Sequence, residues 1–211
     1  MRILLIAASL ITASSAGAVT IVNGSFEDGV PLADGGFATL GTGDTTITGW
    51  TVLSDGVDYI GTYWQASAGT RSLDLSALTS GGVSQMLNGF EVGKRYRLTF
   101  DVSANPDGGN DTKTLLVSAT GGVPVMYNYV RTAANTRANM LWTTLSYDFV
   151  ASGAMQSVQF RSQEFNPSGV ALDNVAISLV PEPAAWALLI AGFAMTGAAL
   201  RSRRAMQSVV A

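Results

Sequence analysis

The chain has 211 residues, with no cysteine, no histidine, and 12 Lys and Arg against 15 Asp and Glu, a formal net charge of −3. Without histidine there is no Ser-His-Asp or Cys-His nucleophilic machinery and no imidazole zinc site; without cysteine no disulfide staples the fold. The acidic balance offers no basic patch for nucleic acid. What survives is carboxylate and hydroxyl chemistry, the lysines Lys94 and Lys113, and oxygen-ligand metals such as calcium.

The N-terminus reads as a targeting segment. Arg2 supplies a positive start, Ile3 to Ala13 is an apolar run too short to span a bilayer, and Ala16 and Ala18 flank Gly17 as small residues where signal peptidase reads them. A signal peptide over residues 1–18, cleaved after Ala18, is expected, and the chain is expected to be exported.

From Val19 to Val180 lie about 162 residues, enough for one domain with a core of its own. This stretch carries eight basic and fourteen acidic residues, a net charge of −6. It opens on Thr20 to Val22, a short strand by composition, followed by Asn23-Gly24-Ser25-Phe26-Glu27. Alternating runs then recur at Ile47 to Val52, Asp58 to Thr62, Ser72 to Leu75, Val83 to Leu87, Arg95 to Val102, Leu115 to Ala119, Val125 to Val130, Leu145 to Phe149 and Val158 to Phe160. In Arg95 to Val102 the even positions are apolar and the odd ones polar, the period of a strand with one wet face. Turn residues punctuate the runs at Asp28-Gly29, Asp34-Gly35-Gly36, Asp55-Gly56, Gly81-Gly82, Asn88-Gly89 and Asn105-Pro106-Asp107-Gly108-Gly109. Helical periodicity is missing. The expectation for residues 19–179 is an all-β, antiparallel jelly-roll sandwich.

Within that pattern several residues stand out. Tyr59, Tyr63 and Trp64 set aromatic rings beside Asp58, the combination that stacks on a sugar face and bonds its hydroxyls, although rings in a sandwich also fill cores. Asp74 lies between Leu73 and Leu75 and so points the opposite way, toward a loop or a metal. Asp107, Asn110 and Asp111 offer oxygens for a cation, but a turn explains the composition of their loop. In the last run Val170 and Leu172 share one parity while Val175, Ile177 and Leu179 take the other, so a bulge or bound ligand is expected at Asp173-Asn174.

The NGSFE opening resembles galactose-binding-like carbohydrate-binding jelly rolls. That resemblance implies a structural calcium held by an acidic residue of the opening and an aspartate of the last strand, here Glu27 and Asp173. Together with Gly49-Trp50, Val57 to Trp64, Gly69 to Ser76, Gly93 to Phe100 and Ala171 to Val175, the opening also resembles the bacterial choice-of-anchor C domain, related to plant cell-wall proteins with a domain of unknown function. This implies an extracellular, non-catalytic module with polysaccharide as its first candidate ligand. A purely structural matrix protein is the competing class, and a glycoside hydrolase working through two carboxyl groups is the one enzymatic form left.

The C-terminus differs in kind. Pro181-Glu182-Pro183 stops any strand or helix, Ala184 to Leu200 is an uncharged run of about 26 Å as a helix, and Arg201, Arg203 and Arg204 follow. By the positive-inside rule the helix holds the precursor in the inner membrane with its tail, residues 205–211, in the cytoplasm. The three parts in this order, residues 180–204, resemble the PEP-CTERM sorting domain of Gram-negative, exopolysaccharide-making bacteria. The resemblance implies an exosortase that removes the transmembrane helix and leaves the domain at the cell surface or in the biofilm matrix; a permanent single-pass anchor is the alternative. Replacing Pro181 and Glu182 together by alanine is expected to leave a full-length membrane species on an immunoblot of fractionated cells, whereas wild-type maturation of that variant would place processing elsewhere.

Overall fold

The structure, a computed structural model, describes residues 18–181, 188 and 190–197. Eleven strands fall among them: β1 (Phe37–Leu40), β2 (Thr51–Ser54), β3 (Val57–Ile60), β4 (Ser72–Asp74), β5 (Gly81–Asn88), β6 (Arg95–Ala104), β7 (Thr112–Ala119), β8 (Val125–Val130), β9 (Thr143–Val150), β10 (Met155–Ser162) and β11 (Val170–Leu179). All ladders between them are antiparallel, in a six-stranded sheet ordered β1-β3-β4-β11-β6-β9 and a five-stranded sheet ordered β2-β5-β10-β7-β8. The all-β sandwich expected from the alternating runs is the observed fold.

The period of two does the sorting. In β6, Leu98, Phe100 and Val102 face inward and are buried, and in β10, Val158 and Phe160 meet them from the other sheet. Phe100 and Phe160 pack edge to face with centroids 5.1 Å apart, and Trp50 and Phe26 extend the cluster. Each such side chain contributes about 1.5–3 kcal/mol on burial, and this packing stands in for the disulfides the chain lacks.

Two elements differ from the sequence reading. Thr20 to Val22 forms no ladder: the Val22 amide donates to Gln85 Oε1 at 2.8 Å, and its carbonyl accepts from Gln85 Nε2 at 2.9 Å. A side chain replaces a strand there because the chain turns at once, with positive φ at Asn23 and Phe26. Gly24 passes so close to β11 that a Cβ on it would sit 2.0 Å from the Val175 carbonyl oxygen. Conversely, Phe37 to Leu40, where no alternating run is expected, forms the edge strand β1. Its pairing with β3 supplies what its weak alternation does not.

The parity switch in the last run is a bulge: the β11–β6 register shifts between Asp173 and Ala176, and Asn174 has φ of 50°. Asp173 thereby keeps to the outer face of the sheet while Val175 returns to the core.

Both ends of the domain lie at one pole. Val19 is buried beside Tyr96 and Ile177, and the Val180 amide donates to Arg95 at the start of β6. The far end of β6, about 30 Å away at 3.3 Å per residue, carries the loops discussed next. Residues 188 and 190–197 are helical, and no helix among the described residues is long and apolar enough to cross a membrane. The rest of the expected 184–200 span lies outside the described residues, as do the signal segment 1–17 with Ala16, Glu182, Pro183, Arg201, Arg203, Arg204 and the tail 205–211.

Candidate functional site

An outer sheet face ordinarily meets water, yet that of the six-stranded sheet is built over. Alternation places Asp58 and Ile60 of β3, Ser72 and Asp74 of β4, Ala171 and Asp173 of β11, and Asp101 and Ser103 of β6 on this face, and all but Asp58 are buried. The covers are residues 61–71, between β3 and β4, and residues 131–142, between β8 and β9. They are joined by the Gln65 amide donating to the Arg137 carbonyl at 2.8 Å and by Trp142 Nε1 donating to the Gln65 carbonyl at 2.9 Å. Beneath them Ile60, Trp64, Met140 and Ala171 form a second, small apolar cluster, flanked by Tyr63 and Trp142.

Two clefts open where the covers stop. The larger, about 630 Å³, runs from Thr62 through Thr70 with Arg137 and Ala138 on its far wall. The smaller, about 270 Å³, lies between β1, β3 and the loops at residues 105–107 and 167–168. Tyr63 and Trp64 line both. Trp64 is a buried wall whose Nε1 donates to Ser72 Oγ at 2.8 Å.

Tyr63 is half-buried and held on three sides. Its hydroxyl donates to Asp107 Oδ2 at 2.9 Å and accepts from Arg137 Nη2, whose guanidinium lies 4.0 Å over the ring. Arg137 Nε in turn pairs with Asp107 Oδ1 at 2.8 Å. Burial, reinforced by the Asp107 carboxylate, pushes the Tyr63 phenol up, so it stays a neutral donor at physiological pH.

Asp58 and Asp74 are register partners on β3 and β4 and so lie side by side. Asp74 is wholly buried and accepts from Asn105 Nδ2 at 2.6 Å, the Ser76 amide at 2.9 Å and the Gly169 amide at 3.1 Å; burial outweighs these donors and pushes its carboxyl up to about 7. Of the two sequence readings of Asp74, loop-holding is the one its contacts match. Asp58 accepts one hydrogen bond, from Thr39 Oγ1 at 2.6 Å, and burial again raises it.

Of the four residues expected to meet a ligand, Asp58, Tyr63 and Trp64 line the clefts and Tyr59 does not. Its parity in β3 turns it inward, where it has no exposed surface and its hydroxyl donates to the Phe26 carbonyl at 2.6 Å. Tyr59 is a core residue by the same alternation that puts Asp58 outside. Trp50 is likewise core, with Nε1 bonded to the Asn23 carbonyl. Sequence reasoning missed Phe37 and Thr39, which sit on the unrecognised β1. It also missed Arg137, which belongs to no periodic run and acquires its role only by lying over Tyr63.

Glu27 and Asp173, the expected calcium ligands, converge on one loop. Glu27 accepts from the amides of Thr70 and Arg71, both at 2.8 Å, and from Thr70 Oγ1 at 2.9 Å. Asp173 Oδ2 accepts from the amides of Ser67 and Ala68, both at 2.8 Å, and Oδ1 from Asn174. Gly69 sits between, with φ of 66°, and a Cβ there would strike Glu27 Oε1 at 2.4 Å. Asp101, the register partner of Asp173, accepts from Ser67 Oγ, Asn174 Nδ2 and Thr144 Oγ1. Burial, with the charge of Asp101 adding, pushes Asp173 up to about 7. Six donors aimed at these two carboxylates do the work a cation would, and amide hydrogens repel a cation. Among the described residues no three acidic side chains converge as a cage. The residues as arranged do not fit calcium.

Residues 19–178 match the family described as Protein of unknown function (DUF642). Over 169 residues the chain is 31% identical to Halomucin of Haloquadratum walsbyi (strain DSM 16790 / HBSQ001), a match that takes in 77% of this chain and 2% of that protein. Among solved structures it is similar to a Family 16 Carbohydrate Binding Module-2, with TM-score 0.47 and 17% identity over 75% of this chain and 98% of the other. It is also similar to TmCBM61 in complex with β-1,4-galactotriose, at 0.46 and 16% over 63% and 90%. A family 35 carbohydrate binding module from Clostridium thermocellum aligns at 0.45 and 12% over 67% and 97%.

Two measurements test this arrangement. The melting temperature is expected to be the same with and without EDTA; a drop on chelation would establish a bound divalent cation. Asp74 and Asp173 have ordinary values near 3.8 and folded values of about 7, so the folded state binds the extra protons between them. Their contribution to stability is complete below about pH 3.8 and is lost as pH rises through 7. Melting is therefore expected at a higher temperature at pH 6 than at pH 8, with Asp74→Asn narrowing the difference; an unchanged difference in that variant would refute the assignment.

Proposed function

The chain belongs to the DUF642 family, and from that footing we propose that it is an exported, non-catalytic module that binds polysaccharide through the two clefts sharing Tyr63 and Trp64. The observation that carries the reading is the composition of this double trough. Aromatic rings form its common wall, while Gln65, Thr70, Asp58 and Asn105 set hydrogen-bonding groups along its length. The larger cleft falls in the range of small-molecule pockets, roughly 300–1,000 Å³, and Thr62, Gln65 and Thr70 alternate on its wall with Ala66 and Ala138, which suits a ligand that keeps most of its hydroxyls in water.

The placement of the ends supports a tethered binder. Both leave the domain at the pole away from the loops at residues 105–107 and 167–168, so an attachment at the C-terminal side holds the trough outward. In this proposal signal peptidase cleaves after Ala18, one residue before the family match begins. An exosortase then acts on residues 180–204, and the mature protein resides at the surface or in the exopolysaccharide matrix of a Gram-negative cell. Hydrolysis has one feature in its favour, the adjacent carboxyls of Asp58 and Asp74. Asp74, however, has no exposed surface and its oxygens are bonded to Asn105, Ser76 and Gly169, so it cannot reach a glycosidic oxygen.

Affinity electrophoresis of the full chain in detergent against a panel of polysaccharides tests the proposal. At least one polysaccharide is expected to retard it without releasing reducing ends, and Tyr63→Ala is expected to weaken retention about tenfold, equivalent to about 1.4 kcal/mol. Retention by none of the panel would leave the purely structural role standing in its place.

A further inference from the structure

The two clefts differ in charge, and the difference specifies a ligand. No lysine or arginine lines the smaller cleft, whereas Asp58, Asp74 and Asp107 do. Asp107 is neutralised by Arg137 on the far side of Tyr63. Asp74 is wrapped in donors. The buried ammonium of Lys113 donates to the Gly108 and Ser168 carbonyls and makes no ion pair with Asp74. Among the described residues Asp58 has one hydroxyl donor, none on Oδ2, and a second carboxyl beside it. Carboxylates withdrawn from water are ordinarily paired with a cation, and among the described residues no ion pair reaches Asp58.

Three rings line the same cleft as that carboxylate. Phe37, 48% exposed, packs edge-on against Tyr63 at 5.3 Å, and Tyr63 lies 6.0 Å from Trp64. Aromatic faces flanking a carboxylate attract an ammonium group through their quadrupoles as well as its charge. The larger cleft presents no carboxylate, only Arg137 and uncharged groups. Resting on the polysaccharide reading above, we propose that the smaller cleft takes the free amine of an amino sugar, so that the ligand is a glycan with unacetylated 2-amino residues whose neighbouring rings lie in the larger cleft. An N-acetylated residue brings no charge to Asp58, and a uronate brings the wrong one; both leave that carboxylate desolvated and unpaired.

The test is titration calorimetry of the full chain in detergent with a glucosamine hexamer and an N-acetylglucosamine hexamer, alongside the neutral polysaccharides. The glucosamine hexamer is expected to bind at least tenfold tighter than its acetylated counterpart. Asp58→Asn, which keeps an oxygen to accept from the Thr39 hydroxyl and removes an uncompensated charge, is expected to abolish that preference while melting no lower than wild type. Phe37→Ala, on an exposed ring, is expected to weaken the glucosamine hexamer several-fold. Equal affinity for the two hexamers, or a preference that survives Asp58→Asn, overturns the proposal. Binding of neutral glycans through Tyr63 with no amine preference defeats it while leaving the polysaccharide reading intact, whereas failure to bind any glycan defeats both.

Discussion

Carboxylates buried on an outer sheet face need donors, and this requirement organises the functional half of the molecule. Asp173 and Asp101 sit where β11 and β6 would otherwise meet water, and Glu27 approaches from the N-terminal segment. One excursion of the chain, residues 67–71, supplies all the donors to Glu27, two of the three to Asp173 and one of the three to Asp101. Such bonds satisfy carboxyl oxygens that the fold withdraws from water. Those here close over long separations in sequence, so they convert a flexible crossover into a fixed lid on the sheet.

The lid then makes the clefts. With residues 67–71 anchored, residues 61–66 must arch over the face, which brings Trp64 down onto Ser72 and carries Tyr63 to the edge. There Arg137, from the second cover, closes on the Tyr63 ring and on Asp107. The rings are thus oriented by bonds at their polar ends and not by apolar packing alone. Placing Asp58 and Asp74 in register beneath it sets one cleft apart electrostatically from its neighbour. The larger apolar core between the sheets takes no part in this; it fixes the strand register on which the outer face depends.

Legibility followed the range of the interactions. Alternation in Arg95 to Val102 or Leu145 to Phe149 is local, because adjacent residues on a strand face opposite ways whatever lies beyond. Ten of the eleven strands could therefore be read along the chain, and so could the bulge, since a parity switch at Asp173-Asn174 is written in five apolar positions. β1 could not, because Phe37 to Leu40 becomes a strand through its partner β3, and the Thr20 to Val22 segment was misread because a Gln85 side chain replaced its ladder. The error at Tyr59 came from grouping rings by proximity in sequence when the period of two sends Tyr59 and Asp58 to opposite faces.

The sequence alone therefore determined the class of fold, the chemistries without histidine or cysteine to support them, and three of the residues at the trough, since composition and a two-residue period are properties of the chain itself. Which acidic groups would be partnered, and by what, was decided only when segments 19 to 106 residues apart came together. Glu27 and Asp173 found amides, Asp107 found Arg137, and Asp58 found a single hydroxyl, because donors and charges are distributed by contact in space, on which linear spacing has no hold.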